Sequence, residues 1–403
     1  MLVTPTSDTD TVAYLLSAAA VRERAHQVLD LMQQGKVADW RLDLSRMEVA
    51  ANLTAETVRQ NYPDLNVPFH ARWRHFVIQG RDLWAERDKP ADPLERGRAA
   101  FDLVIPSVLL DAGAGPGWSY VDDATGATLS RSEGLGVASL RLFEAGLLSS
   151  DPSDPLRADA LGKVDAALIE RAFQVTDANP LVGVEGRATL LRRLGEAVSR
   201  PADIFDMLVA RATDGKLPAP VILEVLLDVL GPIWPSRLTL GGRPLGDCWQ
   251  LHVRRSDPDG PVPMLVPLHK LSQWMSYSLI EPLQDAGIEV IDIDGLTGLA
   301  EYRNGGLFVD TGVLSFFDPG DDDRSHALGG DLVISWRAMT VALLDRLAPM
   351  VRERLGVTAE AFPLARMLEG GSWAAGRRIA REKRADGGPP VRLMSDGDAG
   401  MTF

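Results

Sequence analysis

The chain has 403 residues and a formal net charge of −14, with 45% hydrophobic and 24% charged residues. That length allows one large domain or two to three ordinary ones, and the composition is that of a soluble globular protein. The charge argues against nucleic-acid binding, which draws its affinity from basic residues facing phosphates, and no run approaches the about 18 apolar residues of a membrane helix. A single cysteine, Cys248, excludes an intrachain disulfide and reads as a buried structural thiol. The N-terminus MLVTPTSDTDTV lacks the charged-then-apolar order of a signal peptide. Both features point to a reducing cytoplasm.

Residues 12–35 read as an amphipathic helix, with Val12, Leu15, Leu16, Ala19, Val28, Leu29 and Met32 at helical spacing and Gly35 as its stop. A second helix is expected from Leu44 to Gln60. NVPFHARWRHF, residues 66–76, mixes aromatics with His70 and His75. Their spacing of five is not the i, i+4 pair of a helical zinc site. Residues 94–110 read as a helix ending in the apolar run FDLVIPSVLL, and the glycine-rich stretch DAGAGPGW starts at once with Asp111. This loop lacks the lysine and Ser/Thr of a phosphate loop, and no βαβ pattern surrounds it. It sets an acid at the end of an apolar helix, then a bent backbone carrying Trp118 and Tyr120. An aromatic beside a carboxylate suits a ligand pocket, and a tight turn with a core tryptophan is the plainer alternative.

Residues 118–130 are expected to form a short hairpin, followed by helices over 134–148, 156–175, 185–198, 201–213 and 219–230. Arg187 falls on the first turn of the helix at 185–198, either on a solvated basic face or reaching a pocket. Residues 231–252 break the helical pattern with three prolines. They read as a loop or docking segment, because Trp234, Trp249 and Leu251 call for burial. Residues 264–283 read as a central helix, apolar over much of its surface. Lys270, Gln273 and Tyr277 share one stripe of it, and a lysine there needs a carboxylate or an anionic ligand as partner. GIEVIDI, residues 287–293, is the best strand candidate.

That strand leads into LTGLAEYRNGGLFVDTGVL, residues 296–314, the stretch around which the chain is organised. Glu301, Tyr302, Arg303 and Asn304 set an acid, a phenol, a guanidinium and an amide before Gly305-Gly306. The glycine pair is expected to end or bend any helix begun at Leu296, because glycine reaches positive φ freely. Glu301, Arg303 and Asn304 would then rim a close backbone approach, or face water at a helix C-cap. A polar loop at 318–330, a long helix at 331–355, a short helix at 359–368 and a basic helix from Gly376 to Arg384 come next. The last residues, 391–403, read as irregular and folding back on the body. More than ten helices, three or four short strands and no alternation of strand and helix give a mainly α class. No clear linker divides the chain, which reads as one large unit with possible lobes at 1–235 and 236–403, the second carrying the main site.

DAGAGPGW, FQ…NPLVGVEGR, VPLHKLSQW, LTGLAEYRNGGLFVD and GGSWAAGR together resemble the uncharacterised-domain family that includes the fourth protein of the fungal uracil-catabolism cluster. The resemblance runs from about residue 15 to the C-terminus. In that pathway uracil becomes a nucleotide, its ring is opened and urea is released, which implies a ribosylurea intermediate whose N-glycosidic bond must be cleaved. VPLHKLSQW…LTGLAEYRNGGLF also looks like the Tyr-Lys-x-x-Gln and Asp-Tyr-Arg pattern of the queuosine-nucleotide glycosylase family, which is helical and related to helix-hairpin-helix DNA glycosylases. Glu301 stands at that family's catalytic acid, Arg303 at its arginine and Lys270 at its lysine. Here glutamate replaces aspartate, and Asn304-Gly305 replaces the residues after the motif.

The resemblance implies a metal-independent N-glycosidase that needs no cofactor and takes a small phosphorylated riboside as substrate. A carboxylate near C1′ would stabilise the oxocarbenium-like charge and deprotonate water, a role for Glu301 with Asp111 as the second carboxylate. Lys270 and Arg303 would hold a 5′-phosphate, Asn304 and Gln273 a urea edge, and Trp118 and Tyr302 would wall the sugar or leaving group. The alternatives are an amidohydrolase acting on the ring-opened nucleotide, for which no Ser-His-Asp, Cys-His or metal set is present, and a non-catalytic scaffold of the pathway.

Overall fold

The computed structural model describes residues 7–234, 238–254 and 261–394, so most of the tail at 391–403 lies outside the described residues. The described part is mainly α, with only short strands paired two at a time. Eleven helices build the core and the walls of its main cavity, each bounded by its own local signals. They are α1 (Ala18–Gln33), α2 (Met47–Asn61), α3 (Pro93–Leu109), α4 (Arg131–Glu144), α5 (Val184–Ala197), α6 (Ala202–Arg211), α7 (Ala219–Leu230), α8 (Lys270–Asp285), α9 (Tyr302–Asp310), α10 (Asp331–Leu355) and α11 (Trp373–Lys383).

Caps set several helix starts. Ser17 accepts the Ala20 N–H, which splits the expected 12–35 helix into Asp8–Leu15 and α1. Asp92 accepts the N–H groups of Leu94 and Glu95, with Pro93 preset at the first helical position of α3. Of the expected 156–175 helix, only Ala166–Ala172 is α-helical, capped by Asp165. Upstream, the Ala158 N–H is drawn instead to the buried Asp102 carboxylate, which also binds Arg200.

The expected helix at 264–283 begins later. Val262–Pro267 is a strand (β2) paired antiparallel with Cys248–Val253 (β1), Val262 opposite Val253 and Pro267 opposite Cys248. Pro263 and Pro267 lack an N–H and fix φ, which suits a two-stranded edge better than a helix interior. The chain turns into α8 through His269, at φ 45°. Glu289–Ile291 is a strand as expected, parallel to Lys216–Pro218. Tyr120–Asp122 and Ala127–Leu129 form the expected hairpin. Of the tail, Arg392–Leu393 pairs in parallel with Ser325–His326.

The buried apolar residues form one large cluster running from Ala18 to Val391, beside a small one around Val12, Leu15, Leu245 and Cys248. The long helix α10 is buried on every side along Leu332–Leu344, and α1, α2 and α9 pack against it. Helix α8 lies on α3 and α7, and α11 crosses α9 and touches α2. These contacts bring the C-terminal end of α3, the N-terminal ends of α8 and α9, and α11 around one cavity.

The glycine pair in α9 corrects the sequence expectation. Gly305 and Gly306 sit inside the helix, not at its end. A Cβ on Gly305 would stand 2.7 Å from Trp336 Cε2 and 2.8 Å from Thr340 Oγ1, and one on Gly306 would stand 3.0 Å from Pro390 Cδ. Close helix packing, not positive φ, requires glycine here. The helix starts at Tyr302, with Glu301 as its N-cap, and runs on through the glycine pair.

Candidate functional site

The cavity has a volume of about 570 Å³, and Asp111, Lys270, Glu301, Tyr302 and Arg303 line it. Each carboxylate is held by a different device. Glu301 caps α9: one oxygen accepts the Arg303 N–H at 2.7 Å and the other accepts the Asn304 N–H. Ser, Thr, Asp and Asn are the usual caps, and the extra methylene of glutamate lets both oxygens engage the helix end. Burial pushes the Glu301 carboxyl above the usual range, while the two backbone N–H groups, Lys270 and His70 pull it down. Asp111 follows α3 and lies 3.0 Å from Nη1 of the fully buried Arg72, whose Nε–H donates to Ser107 Oγ at 2.7 Å. An isolated buried guanidinium is costly, so Arg72 and Asp111 hold each other in place.

Lys270 opens α8 and is partly buried; among the described residues its ammonium has no hydrogen-bond or ion-pair partner. Burial lowers its pKa first, and the Glu301, Asp111 and Asp247 carboxylates act against that. A partly buried cation with no direct partner is suited to an anionic or strongly polar ligand. Arg303 donates Nη1–H to the Gly387 carbonyl at 2.8 Å and stacks over the Tyr302 ring at 4.8 Å. The strap Asp386–Pro389 thereby becomes part of the cavity wall.

The remaining expected site residues lie behind the wall. Gln273 exchanges hydrogen bonds with Thr297, donating to its Oγ1 at 2.9 Å and accepting its N–H at 3.3 Å. Tyr277 donates to the Thr297 carbonyl. Together they fix the extended segment that delivers Glu301. Asn304 donates to the Leu299 carbonyl and accepts from Ser372 Oγ at 2.8 Å, tying α9 to the turn before α11. Trp118 is buried, with its indole N–H on the Phe173 carbonyl at 2.9 Å.

Arg187 is buried and donates to the carbonyls of Leu110, Ala112, Gly113 and Val182. It collects the open carbonyls of the glycine-rich loop and so sets the backbone behind Asp111. Burial pushes it down to about 10. Arg187→Ala should leave several buried carbonyls unpaired and lower stability by about 3 kcal/mol. Limited proteolysis should then cut between Gly113 and Gly117, where the parent protein resists.

Sequence reading did not place His70, His75, Arg131, Trp274 and Trp373 at the site, yet all line the cavity. The signal was the histidine- and aromatic-rich run NVPFHARWRHF, whose spacing speaks only against a metal pair. His75 is pushed down to about 3, by burial first and then by Arg72, and is neutral. Among the described residues no three His, Cys, Asp or Glu side chains group as metal ligands, and no helix is long and apolar enough to cross a membrane.

Fold and site together define a mainly α protein with a cavity of about 570 Å³ lined by the separately anchored carboxylates Glu301 and Asp111 and by Lys270. The chain belongs to the family described as "Protein of unknown function (DUF1688)", whose model matches residues 14–399. It is 38% identical to Protein urg3 of Schizosaccharomyces pombe, over 96% of this chain and 99% of that protein. It is 36% identical to Uracil catabolism protein 4 of Lachancea kluyveri, over 96% of this chain and 98% of that protein.

Proposed function

We propose that this protein acts in uracil catabolism as an N-glycosidase, hydrolysing ribosylurea 5-phosphate, or a related ring-opened uridine nucleotide, to urea and ribose 5-phosphate. The observation that carries the reading is that Glu301, Asp111 and Lys270 line one cavity, where both carboxylates favour the charged lysine. The name of the Lachancea kluyveri relative supports the pathway.

Departure of the leaving group builds positive charge at C1′, and a fixed carboxylate beside it stabilises that charge and takes a proton from water. Glu301 suits this role, because its position is fixed by the helix end and lone pairs remain on both oxygens for substrate. Asp111, held by Arg72, suits the ribose hydroxyls. Lys270, Arg303 and Arg131 are the cavity's cations for the phosphate, and Tyr302 supplies an aromatic wall.

Lys270→Ala should therefore weaken binding of the phosphorylated riboside by about tenfold, on the order of one charge-assisted hydrogen bond, and barely change binding of the dephosphorylated one. Calorimetric titration of the two ligands checks this. Equal loss for both would remove Lys270 from the phosphate site.

The direct test is a product assay. Purified protein is incubated with synthetic ribosylurea 5-phosphate, and free urea and reducing sugar are followed together, with and without chelator. Equal release of both products is expected. Neither product under any condition would overturn the glycosidase reading.

A further inference from the structure

One acid–base pair at the cavity has no part in the roles assigned to Glu301, Asp111 and the cations. His70 follows the extended segment after α2, and its Nδ1 lies 2.6 Å from Glu369 Oε2. A carboxylate can only accept, so Nδ1 carries the proton and donates it to Glu369. The ring is thereby oriented with Nε2 on its opposite side, where among the described residues it has no hydrogen-bond partner. His70 is 8% exposed and lines the cavity with Glu301 and Lys270. The Trp274 and Trp373 rings flank it, with centroids at 6.3 and 6.0 Å.

The backbone supports this pair by an unusual device. Glu369 sits in the π-helical turn Met367–Ser372 that joins Leu364–Arg366 to α11. Such turns are rare and concentrate at functional sites. Gly370 and Gly371 let the turn lie against α2 and the segment after it: a Cβ on Gly370 would stand 2.8 Å from Val67 Cγ1, and one on Gly371 2.8 Å from Thr54 Cγ2. The GGSWAAGR motif thus delivers Glu369 to His70 and Trp373 to the cavity.

We infer that His70, oriented by Glu369, is the general acid that protonates the leaving nitrogen in the proposed hydrolysis. The step rests on that glycosidase reading. An unprotonated ureido anion is too basic to depart. As the C1′–N bond breaks, its electron pair goes to the nitrogen, which takes the Nε2 proton of the His70 imidazolium. Water forms the new C1′–O bond and gives its proton to the Glu301 carboxylate. The products are urea and the free sugar, and proton transfer from Glu301 to His70 resets the site. The titratable groups that interact with His70 are Glu369, to which it is hydrogen-bonded, Glu301 and His75, with Lys270 and Asp111 on the same cavity. Trp274 and Trp373 wall this end of the cavity, which fits a flat ureido group better than a second sugar.

The test separates leaving groups. Ribosylurea 5-phosphate needs protonation, whereas 4-nitrophenyl riboside 5-phosphate departs as a stable phenolate. His70→Gln should lower kcat on ribosylurea by about 10²- to 10⁴-fold, the usual contribution of a general acid, and leave the nitrophenyl substrate nearly unchanged. Glu369→Gln should show the same selectivity with a smaller loss, which guards against misfolding of one variant. Glu301→Gln should lose both substrates. Equal loss on both substrates in His70→Gln would overturn the assignment while the glycosidase reading stood. Wild-type protein that cleaves neither substrate would overturn both.

Discussion

Glu301→Gln is expected to abolish urea release and leave the protein folded. Glu301 both caps α9 and faces the cavity, so the variant acts on two levels. The amide oxygen can still accept one of the two helix N–H groups, but the amide NH₂ then confronts the other, at a cost of about 1–2 kcal/mol. That is a small part of the stability of a core this continuous. The chemical loss is larger. A neutral amide cannot take a proton from water or stabilise charge at C1′, and the loss of one preorganised electrostatic group costs about 10³-fold in kcat. Turnover within about tenfold of the parent would remove Glu301 from the chemistry.

The pH profile tests the same residue. Burial holds its carboxyl above the ordinary glutamate value, and the reaction needs the carboxylate form. Activity should therefore rise with pH through a limb displaced above the usual glutamate range, and be lost as pH falls through it. Stability runs the other way. A folded-state pKa above the unfolded one gives a contribution fully present below the unfolded value and lost as pH rises through the folded one.

Among the described glycines, Gly376→Ala is expected to be the most damaging alanine substitution. Helix α11 crosses α9 with Gly376 at the contact, where a Cβ would overlap the Arg303 carbonyl oxygen and stand 2.8 Å from its carbonyl carbon. The obstacle is backbone, so no rotamer change relieves it and the helices must move apart. Overpacking costs about 1–3 kcal/mol where side chains give way, and this case belongs at or above the upper end. The displacement would also carry Arg303 from the Gly387 carbonyl and Ser372 from Asn304. Urea denaturation should show the midpoint fall by the equivalent of about 3 kcal/mol, and activity should fall with it. A variant as stable and active as its parent would mean that the two helices do not meet as described.

The sequence by itself determined the mainly α class and most element positions, because helical periodicity and capping residues act over a few neighbours. Residues 331–355, 219–230 and the hairpin at 118–130 were legible for that reason. It also marked Asp111, Lys270 and Glu301, whose residue types are out of place on apolar elements unless something pairs with them. It could not distinguish a glycine that turns the chain from one that admits a neighbour, since both are the absence of a Cβ; Gly305 and Gly306 were misread on that account. Nor could it separate residues that face the cavity from those that hold its wall. Gln273, Asn304, Trp118 and Arg187 have the chemistry of ligand-binding groups, but tertiary contacts commit them to Thr297, Ser372, Phe173 and the loop carbonyls. Only the packing of α3, α8, α9 and α11 brought Asp111 to Glu301 and His70 to Glu369, pairs far apart in the chain whose meeting depends on long-range burial that no local pattern encodes.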